Sequence, residues 1–417
     1  MLSTVDCRLS PMRPFTSTIS LEEARRRLDA AVRPMTRTER VDLEHASGRV
    51  AAEDVTSAID VPPFSRSAMD GYAVIAADTT RASRSTPVEL RLVDRIYTGH
   101  MSNVSIDAGT CAEIATGAPL PRGADAVVIV EETAPGSPSG DARVQIFAAA
   151  APGQNIGRQG ADIRQGDRVV AAGSLITASR VGALAAVGCT SVAVFERPRV
   201  AILSTGNEVV DPGQQLAPGQ IFDVNRFTLA AIVSSHGGVP EPHRPAHDSI
   251  DALVAALDAC STSDLIVFSG GSSVGERDLI VDAIAARGEM IFHGIAVKPG
   301  KPTAFARVGG TPFFGMPGNP TSCLSNAYIL LVPFLRALAR LPAHAPRTVR
   351  VPLGRRIVSA AGRHQFYTVR VSDGVALSAF KGSGDITSLS NADGYIEIAA
   401  DQSTVDEGSL VEVTLFY

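Results

Sequence analysis

The chain has 417 residues, 45% of them hydrophobic and 19% charged, with a formal net charge of −5. Single cores stop growing at roughly 250–300 residues, so several domains are expected, and the apolar content excludes a disordered chain. No Lys/Arg block marks a nucleic-acid-binding face, and five cysteines (Cys7, Cys111, Cys189, Cys260, Cys323), none at CxxC spacing, speak against a disulfide framework or a thiolate zinc site and for free thiols in the cytoplasm.

Taken in chain order, "SLEEARRRLDAAV" (20–32) predicts a helix capped by Ser20, with Glu22 and Glu23 in its first turn. Short segments rich in Val, Ile, Gly and Pro follow to about residue 150 and predict a β-rich region, with "APGSPSGDA" as a hairpin tip. "TASRVGALAAVG" predicts a short helix. From Pro198 the texture changes to buried strands alternating with helices: "RVAILSTG", "NRFTLAAIVSSHGG", "SIDALVAALDAC" with Asp248 as its cap candidate, "DLIVFSGG", "DLIVDAIAAR" and "TPFFGMPG" feeding "NPTSCLSNAYILLV". "YILLVPFLRALARL" is interrupted by Pro333 and Arg336, too short to span a bilayer, and no signal-peptide core opens the chain. Short strands return after Pro342.

The expected fold class is multidomain α/β plus β: a doubly wound α/β domain with a β-rich inserted domain and a small C-terminal β domain. Residues 1–55 and 156–197 form a discontinuous linking domain, 56–155 the inserted β-rich domain, 198–341 the α/β domain and 342–417 the C-terminal β domain.

Ligands of open α/β sheets bind beyond the carboxyl ends of the strands. Glycine-bearing polar loops stand at several such ends: "STGNE" (204–208), "SGGSSVGERD" (269–278), "KPGKP" (298–302) and "MPGNP". Glycine lets a ligand approach the backbone, helix N-termini offer amides, and Lys298 and Lys301 add positive charge, together describing an oxyanion pocket. The spacing matches neither a P-loop nor GxGxxG. Glu208 and Asp278 can hold Mg²⁺ through oxygen ligands. Plainer readings stand beside these: Asp278 as the cap of its helix, Glu208 as a solvated acid, and Asp70 in "PPFSRSAMDGYAV" as a turn acid bonded to nearby backbone amides. His243 and His247 are four apart, but Pro245 between them argues against a metal-binding helix face.

"PPFSRSAMDGYAV", "ATGAPLPRGADAVV", "STGNEVV", "SGGSSVGERD", "VKPGKPTAF" and "GMPGNPTS" occur in this order. With them the chain closely resembles the molybdopterin molybdenumtransferase (MoeA) family, related to the E domain of gephyrin. The resemblance implies insertion of molybdenum from molybdate into adenylylated molybdopterin, with Mg²⁺ as cofactor and AMP released. It implies a homodimer whose active cleft is shared between subunits, with Asp70 and Thr116 facing the α/β domain of the partner. It also implies an α/β domain like that of the upstream molybdopterin adenylyltransferase, and delivery to molybdoenzyme apoproteins or their chaperones. Glu208, Asp248 and Asp278 match acids around substrate and metal, with Asp70 a further metal candidate. Ser204, Thr205, Gly206, Gly270, Gly271, Ser272, Pro317, Gly318, Asn319, Pro320, Asp162 and Ser383 match binding positions, and Lys298 and Lys301 would take phosphate or molybdate. Two departures are expected to matter: Asn207 stands for an acid, and Gly294, next to His293, for a position basic in some members. A non-catalytic molybdopterin-binding scaffold and the adenylyltransferase itself are the alternatives.

Overall fold

A first helix, α1 (Leu21–Ala31), starts where Ser20 accepts the Glu23 N–H at 3.1 Å, and Glu23 then pairs with Arg26 and Arg27 one turn on. A computed structural model of the chain describes residues 18–136, 141–245, 249–270, 276–359 and 362–416. It divides into two compact units, Arg40–Val194 and the chain on either side of it. The sequence grouped α1 with the 156–197 segment. In the structure Leu21, Ala24 and Leu28 join the core of the α/β domain instead, beside Ile295, Phe292 and Phe366. Amphipathic spacing shows that a helix has a partner surface, not which one.

The Arg40–Val194 unit holds β1 (Gly71–Val74), β2 (Val88–Ile96), β3 (Thr110–Ile114), β4 (Ala126–Ile129), β5 (Thr133–Pro135) and β6 (Arg143–Ile146). They form one sheet in the order β4-β1-β3-β2-β6-β5, parallel only between β2 and β3. β5 and β6 pair as the expected hairpin, and its tip, residues 137–140, lies outside the described residues. Alternate residues face opposite sides: Val74, Cys111 and Val128 into one core, Ala73, Ala112 and Val127 into another. A separate small core joins Ala46 and Ala51 to Val170, Ile176, Val192 and Leu184, the last carried on α2 (Ala178–Ala186).

The second unit continues with β7 (Arg199–Ser204), α3 (Asn225–Ser235), β8 (Val239–Pro242), α4 (Ile250–Ala259), β9 (Leu265–Ser269), α5 (Glu276–Arg287), β10 (Gly288–His293), β11 (Ala304–Val308) and β12 (Thr311–Met316). The sheet order is β8-β7-β9-β12-β11-β10. β8, β7, β9 and β12 are parallel, as expected; β11 and β10 extend the sheet antiparallel. The turn between β11 and β12 is Gly309-Gly310, both at positive φ (56° and 90°), the backbone that a two-residue hairpin needs. On β7, Val200 and Ile202 face the α1 side while Ala201 and Leu203 pack on Leu253 and Ile284. Ser249, not Asp248, caps α4, accepting the Ala252 N–H at 3.2 Å; Asp248 lies outside the described residues.

After β12, α6 (Pro320–Asn326) runs through a π-helical turn, Ala327–Leu331, into α7 (Val332–Leu338). Pro333 therefore does not end the helix: the wider turn absorbs the missing amide bond. The 19-residue helix Pro320–Leu338 is long and apolar enough to cross a membrane, yet 72% of it is buried in this unit, as befits a core helix. The C-terminal strands β13 (Thr348–Pro352), β14 (His364–Ser372), β15 (Val375–Ser378), β16 (Gly394–Ile398) and β17 (Leu410–Leu415) form a sheet whose far edge is the short strand Val297–Lys298, parallel to the start of β14.

Phe305 is fully buried, its ring 4.9 Å from Phe314 and 5.4 Å from Phe334. Phe305→Ala is expected to lower stability by about 3–5 kcal/mol, read by urea unfolding, since it removes a fully buried ring packed against two others and leaves a cavity. At the end of α3, burial beside His344 holds His236 down at about 4. Its neutral form is the one that fits the fold. Stability is thus complete above pH 6.5, the ordinary histidine value, and declines as pH falls towards 4; His236→Gln should flatten that slope in denaturation curves taken at several pH values.

Candidate functional site

The site is built on strands that end level. Ser204, Ser269 and Met316 stand opposite one another at the carboxyl ends of β7, β9 and β12. Beyond them opens a cavity of about 680 Å³. Its walls come from the loop after β7 (Thr205, Glu208), the end of β9 (Ser269, Gly270), the start of α3 (Asp223, Asn225), the PGNP turn (Gly318, Asn319, Pro320) and, from the C-terminal domain, Gly384 and Ile386.

Asn225 fastens two of these loops. Its side-chain amide donates at 2.7 Å both to the Ser269 hydroxyl and to the Gly318 carbonyl, and the residue is only 8% exposed. Asp223 fastens a third. It accepts the Ser204 hydroxyl at 2.6 Å and the Arg226 N–H at 3.1 Å, which caps α3, while its carboxylate also faces the Arg226 guanidinium. Arg226 is held further by Asp211 and by the His243 carbonyl. Gly206 (φ +137°) and Gly270 (φ +153°) allow the loops to close together: a Cβ on Gly270 would lie 2.5 Å from Thr205 Cγ2 and 2.8 Å from its carbonyl oxygen. Ser383 joins from the C-terminal domain, its hydroxyl accepting Asn319 Nδ2 at 3.1 Å and its carbonyl the Thr321 N–H at 3.1 Å. Beneath the floor, Cys323 is fully enclosed, and burial pushes its thiol up to about 12, so it stays protonated and inert.

The structure thus gathers Ser204, Thr205, Glu208, Gly270, Gly318, Asn319 and Pro320 around one cavity, with Gly206 and Pro317 in the same loops and Ser383 behind Asn319. Lys298 and Lys301 stand in a neighbouring loop and do not line it. That loop is set by Asn326, whose amide donates to the Gly300 carbonyl at 2.9 Å; Gly300 (φ +99°) has no space for a Cβ, which would meet Asn326 Nδ2 at 2.2 Å. Gly294, one of the two departures, sits at φ +95°, a backbone that favours glycine over any basic residue. Gly271 and Ser272 lie outside the described residues, as does His247. Asp278 falls in the first turn of α5, which begins two residues earlier at Glu276, so it is not the helix cap.

Asp70 and Thr116 belong to the other unit, where they meet: Asp70 Oδ1 accepts the Thr116 N–H at 2.7 Å, and the Asp70 carbonyl accepts the Val130 N–H. The glycine that follows is dictated by the sheet, since a Cβ on Gly71 would sit 1.9 Å from the Val128 oxygen. Asp70 borders a small cavity of about 220 Å³ with Tyr72, Arg95 and Glu113. Asp162, in the same unit, is exposed and does not reach it. Among the described residues no three His, Cys, Asp or Glu side chains cluster as a metal site.

Three family models cover most of the chain: the MoeA N-terminal region (domain I and II) over residues 19–188, a probable molybdopterin binding domain over 201–337, and the MoeA C-terminal region (domain IV) over 350–416. The chain belongs to the MoeA family. Relatives include molybdopterin molybdenumtransferase 2 of Mycobacterium tuberculosis, 35% identical over 92% of this chain and 95% of that protein. Molybdopterin molybdenumtransferase of Haemophilus influenzae is 30% identical over 95% of this chain and 98% of that protein. A crystal structure of the molybdopterin biosynthesis MoeA protein from Pyrococcus horikoshii is similar throughout, with 39% identity and a TM-score of 0.84 over 96% of this chain and 100% of that one. The lining of the 680 Å³ cavity comes from the region matched by the molybdopterin-binding model and, through Gly384 and Ile386, from the middle of the matched C-terminal region.

Sequence reading did not single out Asp223 or Asn225. The signal was an Asp-x-Asn-Arg step opening a helix after a strand-end loop, an acid with a helix N–H three residues on. Asp223→Ala should cost about 3 kcal/mol in chemical unfolding, because it leaves the Arg226 charge half-compensated inside the fold.

Proposed function

We propose that this chain is a molybdopterin molybdenumtransferase, acting in molybdenum cofactor biosynthesis by inserting molybdenum from molybdate into adenylylated molybdopterin with release of AMP. The observation that carries the reading is the cavity at the level ends of β7, β9 and β12, walled by the family's own loops and of a size suited to a bulky cofactor precursor. The matches to the MoeA N-terminal and C-terminal regions favour this step over the preceding adenylyl transfer.

In this reading the loops carrying Thr205, Gly206 and Gly270, at the carboxyl ends of β7 and β9, receive the phosphate-bearing part of the substrate. Lys298 and Lys301 offer the positive charge that a tetrahedral dianion such as molybdate requires. Mg²⁺ takes one or two carboxylates and completes its shell with water and substrate phosphate, and the cavity wall offers one such carboxylate in Glu208. Glu208 lies on the cavity wall, and Asp223 beside it is occupied by Ser204 and Arg226. Glu208 would therefore hold the ion, with Asp278 of α5 as second carboxylate. Bound there, Mg²⁺ would neutralise phosphate charge as AMP leaves. Asp70 and Thr116 would complete the cleft from a partner subunit of a cytoplasmic homodimer. Substrate would come from the adenylyltransferase, and product would pass to molybdoenzyme apoproteins or their chaperones.

Purified protein given adenylylated molybdopterin, Mg²⁺ and molybdate should release AMP in a molybdate-dependent manner and reconstitute a molybdoenzyme apoprotein. Glu208→Gln should reduce AMP release by about 100-fold, the scale on which one electrostatic group counts in a transition state. Binding of substrate without AMP release would contradict the assignment.

A further inference from the structure

Helix α6, which leaves the PGNP turn, ends on Asn326, a polar residue set among core side chains. Cys323 one turn before it and Ala327, Ile329 and Leu330 after it are all buried, and Asn326 itself is 1% exposed. Asparagine is a poor helix former, and burying its amide is costly unless the amide is paired. The pairing here is one-sided. Nδ2 donates to the Gly300 carbonyl at 2.9 Å and to the Thr303 hydroxyl, whereas Oδ1 finds no partner among the described residues. Only the end of the amide that reaches the lysine loop is used.

That loop is tied at its base and again between its two lysines. At the base the Gly294 N–H donates to the Thr303 carbonyl and the Ile295 N–H to the Lys301 carbonyl, both at 2.9 Å. On one flank Val297 and Lys298 pair with His364 and Gln365 of β14. Gly300, between the lysines, is held through its carbonyl, which accepts Asn326 Nδ2 and, at 3.0 Å, the hydroxyl of the fully buried Thr303. The peptide that joins the two lysines is therefore fixed from the helix, by a side chain that does not line the main cavity.

We infer that Asn326 is a positioning residue for the oxyanion: through Gly300 it sets the backbone from which Lys298 and Lys301 reach one tetrahedral dianion, an inference that rests on the proposed role of these lysines in holding molybdate. A lysine ammonium is a point charge on a flexible four-carbon stem. Two of them grip one anion well only if the chain that carries them is already ordered, since otherwise binding must also order the loop. A buried amide on the helix supplies that order without meeting the anion. Its loss should fall on the oxyanion and spare ligands of the main cavity.

The test is titration calorimetry of sodium molybdate, and separately of AMP, into the full chain. Asn326→Ala should weaken molybdate binding by about 10-fold, the scale of one hydrogen bond to a charged group, and leave AMP affinity within about twofold. Thr303→Val, which removes the hydroxyl and keeps the branched side chain, should weaken molybdate binding by about threefold, the scale of one neutral hydrogen bond. Lys301→Ala should weaken molybdate binding in wild type but add little in the Asn326→Ala background, because a residue that acts through the lysines couples to them. Circular-dichroism melts verify the fold of each variant. Unchanged molybdate affinity in either folded variant, independent losses in the Asn326→Ala/Lys301→Ala double variant, an equal loss of AMP, or no molybdate binding by wild type would overturn the inference. The expected molybdate pattern without molybdate-dependent AMP release would uphold the role of Asn326 and defeat the transferase reading instead.

Discussion

One buried amide governs the candidate site. Asn225 bonds at the same distance to the end of β9 and to the PGNP turn after β12, while Asp223, two residues before it, holds the end of β7. Three loops that the sheet merely brings near one another are thereby fixed in one arrangement. Both residues are almost fully buried, so their bonds form in a low dielectric, where a lost partner is costly. The level strand ends come first, from the parallel register of Ser204, Ser269 and Met316. The cavity follows from the polar network laid across them.

The register in turn depends on packing. Val200, Ile202, Phe305, Phe314 and the helix Pro320–Leu338 fill one side of the sheet, Ala201, Leu203, Ile266 and Phe268 the other. A one-residue slip of any central strand would exchange these faces, so register is strongly specified, and with it the level of the ligand loops. The π-turn at Ala327–Leu331 keeps the long helix continuous past Pro333, which lets a single element carry Asn326 and Phe334 to the lysine loop and the core.

Much of this was legible in the sequence because the deciding forces are local. The α1 cap at Ser20, the parallel strands and the glycine loops at their ends were written in spacing and residue type. What was not legible depends on distant atoms. Gly71 follows Asp70 because Val128 passes 1.9 Å from where a Cβ would be. Asp70 serves the Thr116 amide, a partner 46 positions along the chain. Asp248 looked like the cap of α4, but the adjacent Ser249 takes the position, a one-residue shift that propensity cannot resolve. The antiparallel strands β10 and β11 escaped notice although Gly309-Gly310 signals a hairpin, because strand-helix alternation before them suggested more of the same. Nothing in the sequence shows what Asp223 and Asn225 do, because their role depends on loops that only the fold brings together.

The measurement that tests this account most directly is the affinity of Asn225→Ala for adenylylated molybdopterin, taken by titration calorimetry beside wild type, with circular-dichroism melts to verify the fold. If Asn225 holds the site together, affinity falls by about 10-fold or more while the sheet still melts cooperatively. Unchanged affinity in the folded variant would contradict the account, because the loops would then keep their arrangement without the amide that joins them.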